Sequence, residues 1–86
     1  MATKQYISEN AINTISRLNE QLFEAEYELE AQQRAVSKYR HFLSAEHNQQ
    51  TALDLYGAIK NLRGKQQRVD ELRKQLNDTV DNLFAL

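Results

Sequence analysis

Two runs of aliphatic side chains recur at seven-residue intervals in this chain, and the two are out of phase. Ile15, Leu22, Leu29, Val36 and Leu43 form the first; Leu55, Leu62, Val69, Leu76 and Leu83 form the second. Their companion positions are Ala11, Leu18, Ala25, Gln32 and Tyr39, then Ala58, Lys65, Leu72, Thr79 and Leu86. Apolar seams at this spacing lie along one side of an α-helix and mark coiled-coil packing. Extending the first run forward meets Gln50, Gly57, Gly64, Glu71 and Asp78, none of which carries an apolar side chain. Leu43 and Leu55 stand twelve residues apart, which at 100° per residue leaves about 120° of mismatch on an unbroken helix. One straight helix would therefore show its two stripes on different faces.

The phase is reset within residues 44–51, SAEHNQQT, which hold a single small apolar side chain. A reversal is the simplest reset. Thr51-Ala-Leu-Asp54 has the form of a helix start, its hydroxyl and carboxylate able to take up free backbone N–H groups, and Asn48 is a natural place to leave the preceding helix. The expected fold class is all-α: an antiparallel two-helix hairpin of the coiled-coil type. Its first helix covers residues about 6–47, its turn about 48–50 and its second helix about 51–85, in one domain. Absence of Pro and only two Gly fit that reading.

Antiparallel seams pair residues whose numbers have a constant sum. A sum of 94 sets Leu18 against Leu76, Leu22 against Leu72, Ala25 against Val69, Val36 against Ala58 and Tyr39 against Leu55. A sum of 101 also aligns the seams, but strands Ile7, Ala11 and Ile12 past the end of the second helix. The first register is preferred. It places Gln32 against Leu62 and Leu29 against Lys65, so the seam is partly polar at its middle.

Two helices share one contact line, and apolar side chains are left over. Ile12, Val80 and Phe84 gather near the ends of the arms, Phe42, Tyr56 and Ile59 near the turn, and Phe23 and Tyr27 on the outer side of the first helix. A short chain with flanking clusters of this kind is expected to self-associate, as a dimer forming a four-helix bundle or as a higher assembly. Charge is divided as well. Residues 31–68 carry seven Lys/Arg and two acids, a net of +5, and the remainder four and ten, a net of −6, which together give the chain's −1. The turn half of the hairpin is basic and the opposite half acidic.

Chemistry has little to draw on. Without Cys there are no disulfides or thiolate ligands. His41 and His47 are six apart, not the four that would put two imidazoles on one helical face for zinc. Ser44 lies between them, but nearness in sequence does not make a triad. Glu20, Glu24, Glu26, Glu28 and Glu30 wrap around the helix without the Glu-x-x-His pattern of carboxylate-bridged metal bundles. Gly57 and Gly64 belong to no phosphate loop. Neither enzyme activity, cofactor nor metal is expected, and with no apolar run of about 18 residues or leader-like start, the expected location is the cytoplasm of a cell or of an infected host.

What remains is binding. The expected partner is another protein, met through Phe23, Tyr27, Phe42, Tyr56, Ile59 and Phe84, with Arg34, Lys38, Arg40 and Arg63 as electrostatic support. The role would be that of an adaptor, assembly factor, chaperone or inhibitor. The alternative is an RNA- or DNA-binding hairpin dimer using the cations of the turn half, with Tyr39 and Tyr56 to stack on bases. Small plasmid copy-number regulators offer that analogy of shape. A viral or plasmid accessory protein that disables a host factor is a further alternative. In length and helicity the plan resembles type III secretion co-chaperones and WXG-type secreted proteins, though the turn region reads His47-Asn48-Gln49, without the Trp-x-Gly signature.

Overall fold

The computed structural model describes residues 8–83. They form two helices, α1 over Glu9–Ala45 and α2 over Gln49–Leu83, which pack against each other as a hairpin. The rod is 68 Å long and 19 by 18 Å in cross-section.

α1 starts at Ser8, whose hydroxyl accepts the Ala11 N–H at 3.2 Å. This N-cap satisfies one of the donors that a helix start leaves free. Residues 6 and 7 of the expected first helix lie outside the described residues, as do Phe84 and Leu86. At its other end α1 stops at Ala45, two residues before the expected boundary, with the Glu46 N–H closing on the Phe42 carbonyl.

The turn therefore covers residues 46–48 and not 48–50, and α2 begins two residues early. The physical reason is Asn48. Its side-chain oxygen accepts the Thr51 N–H at 2.8 Å and the Thr51 hydroxyl at 2.7 Å, so Asn48 caps α2 and Thr51 is already in its first turn. The Asn48 N–H donates to the Glu46 carbonyl, tightening the chain around His47. No described residue has a positive φ, so the reversal needs no glycine.

Leu18, Ala25, Leu29, Val69 and Leu72 make one buried cluster, with Leu22, Leu62 and Leu76 packed against it. Val36 and Ala58 are buried nearer the turn. Three polar contacts cross between the helices, and their residue numbers bracket 94. Gln32 Nε2 donates to the Ala58 carbonyl at 3.0 Å, Lys65 Nζ meets Glu28 at 3.5 Å and Arg73 meets Glu26 at 3.1 Å. In the 101 register Gln32 would stand level with Val69, eleven residues or about 16 Å from Ala58, beyond its reach. A three-residue turn centred on His47 leads to the same sum of 94. The two ion pairs are surface pairs worth about 0–1 kcal/mol each; the aliphatic seam holds the hairpin.

Candidate functional site

The hairpin exposes large apolar side chains at its turn end, Phe42, Leu53 and Tyr56, and elsewhere on α1, Ile12, Phe23 and Tyr27. Tyr39 lies on the seam of α1 and is half-buried, while Phe42 lies beside the seam and stays 43% exposed. Their rings meet edge to face, 6.4 Å between centroids at 74°, the arrangement that aromatic quadrupoles favour. From the start of α2, Thr51 and Asp54 complete an open groove of about 420 Å³, with Ala45 and Glu46 on its α1 side. The groove thus exists because a short turn brings the last α1 turn and the first α2 turn together.

A lysine stands over each of two turn-end rings. Lys38 Nζ sits 5.6 Å from the centre of the Phe42 ring, and Lys60 Nζ sits 5.6 Å from that of Tyr56; both are cation–π distances. Arg34, Arg40 and Arg63 are exposed nearby in sequence, on the same basic half. Tyr56 is 60% exposed, and Leu53, three residues before it on α2, is exposed beside it. Leu53 was not among the residues expected at the surface cluster. Its position two residues before Leu55, about 200° around α2 from the seam, was the available signal.

The remaining expected contact residues divide. Ile59 is only partly exposed, flanking the seam. Phe23, at 74% the most exposed large apolar side chain described, stands with Tyr27 on the outer face of α1, where Glu26 and Glu30 frame a shallow dent with them. Phe23 lies nineteen residues from Phe42, about 28 Å along the helix, so these two do not share the turn-end groove. Phe84 lies outside the described residues.

A second depression, on α2, is framed by Lys60, Asn61, Gly64, Lys65 and Arg68. Three cations around a residue without a side chain make it a shallow basic surface. His41 and His47 are both exposed, and the Ser44 hydroxyl donates to the Arg40 carbonyl one turn back. Among the described residues no group of three or more His, Asp or Glu side chains is placed to hold a metal ion. No described helix is long and apolar enough to cross a membrane. Searches of protein-family models, curated proteins and solved structures find no match to this chain.

Proposed function

We propose that this protein is a non-enzymatic interaction module which binds another protein at the turn end of the hairpin, working as an adaptor, assembly factor or inhibitor in a cytoplasm. One observation carries the reading: the Tyr39–Phe42 groove opens between the helices at the turn end, inside the basic half of the rod, where Tyr56 and Leu53 are also exposed on the other flank of α2. An apolar anchor entering the groove would be desolvated at the centre of the contact, where a few aromatic and Arg contacts supply most of the affinity. Lys38, Arg40, Lys60 and Arg63 around it favour an acidic partner and speed its approach. The hairpin would act as a dimer or higher assembly, since exposed Ile12 and Phe23 remain uncovered on the single chain.

Capture from nuclease-treated lysate tests this. The wild-type chain retains one dominant protein, and Phe42→Ala with Tyr56→Ala loses it while helicity by circular dichroism is unchanged. Retention by the double variant sinks the turn-end site.

The basic depression around Gly64 favours a second reading, RNA or DNA binding along α2. In that case a gel-shift affinity falls steeply as salt is raised, because each phosphate contact releases counterions. Absence of any shift at low salt removes this reading and leaves the first intact.

A further inference from the structure

The outer face of α1, turned away from α2, carries a second heptad seam. Glu20, Glu24, Tyr27, Ala31, Arg34 and Lys38 follow at spacings of four, three, four, three and four residues, which keeps them on one stripe. All six are exposed. None of the four charged ones has an ion-pair partner among the described residues. The charges along the stripe are reversed about its middle. Measured from Leu29, Tyr27 and Ala31 are each two residues away, Glu24 and Arg34 each five, and Glu20 and Lys38 each nine.

We infer that a second copy of this chain docks antiparallel on this face, α1 against α1, about a two-fold axis level with Leu29. In that arrangement Glu24 of each copy meets Arg34 of the other, Glu20 meets Lys38, and the Tyr27 ring lies over the small Ala31. Every contact occurs twice, as a two-fold interface requires. A parallel arrangement in register would instead set carboxylate on carboxylate and cation on cation at all four charged positions, which is strongly disfavoured. α2 packs on the opposite side of α1 and leaves the stripe exposed, with Glu24 at its edge bordering a shallow depression that Arg68 of α2 also lines. Phe23 lies on the flank of the stripe, on the side where Arg34 and Ser37 of the other copy stand.

The contact runs from Glu20 to Lys38, about 27 Å of helix. It is at the small end of specific interfaces, so the dimer forms in the micromolar range and dissociates on dilution. Exposed ion pairs are screened by salt, so dimerisation weakens as ionic strength rises. Glu30 lies one residue from the axis, on the flank, and is brought near its own copy with like charge.

This inference rests on the assembly part of the function proposed above and not on the partner at the turn end. Sedimentation of the purified chain from low to high micromolar concentration tests it without any partner. The expected result is a monomer–dimer equilibrium that Arg34→Glu weakens at least about tenfold, replacing attraction by repulsion at two places. Glu24→Arg combined with Arg34→Glu restores it, and Glu30→Gln strengthens it. Because the chain has no Cys, single thiols report the axis directly: a short bis-maleimide links two copies rapidly through Glu30→Cys, whereas Ser16→Cys, far from the axis, is not linked. Circular dichroism checks that each variant is helical. A strict monomer would overturn both this face and the assembly reading. A dimer indifferent to Arg34→Glu, or linked faster through Ser16→Cys, overturns this face alone.

Discussion

The Gln32 side chain donates a hydrogen bond across the hairpin to the Ala58 carbonyl, at 3.0 Å, from a position on the seam where a coiled coil ordinarily carries an aliphatic residue. The bond ties one helix to the backbone of the other and, by its reach, selects between two registers that the apolar seams alone permit. The Ala58 carbonyl also has its own partner within α2, as every interior helical carbonyl does.

Gln32→Leu should therefore leave no buried acceptor unpaired while adding apolar contact with Leu62. The expected outcome is a gain of about 1 kcal/mol in unfolding free energy by urea titration, the buried stem outweighing one net hydrogen bond. Loss of stability would show that the Gln32 bond is worth more than this balance assigns it.

Asn48 accepts two hydrogen bonds from Thr51 at the start of α2. Asn48→Ala removes both and is expected to cost about 1 kcal/mol, whereas Asn48→Gly costs a few tenths. Equal loss in both variants, measured by thermal unfolding, would point to a different cap.

Gly57 and Gly64 stand inside α2 with nothing within 4 Å of where a Cβ would lie. No internal packing requires their absence of a side chain. Gly57→Ala and Gly64→Ala should each raise stability by about 0.5–1 kcal/mol through helix propensity alone. A destabilised variant would mean that the surrounding helix is packed more closely than this.

Leu72 is almost completely buried against Leu18, Ala25 and Leu29. Leu72→Ala should cost about 3 kcal/mol, the transfer term plus the cavity. Tyr56→Ala, on the surface, should stay within about 0.5 kcal/mol of wild type. Comparable losses in the two would contradict the assignment of Leu72 to the core and Tyr56 to a binding surface.

The reversal was legible in the sequence because two strict aliphatic seams cannot share one helix when they are about 120° apart. Leu18, Leu22, Ala25, Leu29, Val69, Leu72 and Leu76 were placed in the seam by spacing alone, and they form or line the core. The turn was placed two residues late because Asn48 and Thr51 are both capping residue types; only the geometry shows the Asn48 oxygen taking the Thr51 N–H. The exposure of Phe23, Tyr27, Phe42 and Tyr56 followed from their positions off the seam. The groove that joins Tyr39 and Phe42 to Thr51 and Asp54 did not, since periodicity along one helix carries no information about which residues of another stand beside it.

The most direct test is a distance within one molecule. Ser16 and Asn77 are exposed and nearly level across the hairpin, and thiols placed there in this Cys-free chain can carry spin labels. Dipolar spectroscopy on labelled chain diluted into unlabelled chain should give a separation of about 20–25 Å, two packed helix diameters. A distance beyond range, as for 61 residues of unbroken helix at about 90 Å, would mean that the chain does not fold back, and the turn-end groove would not exist.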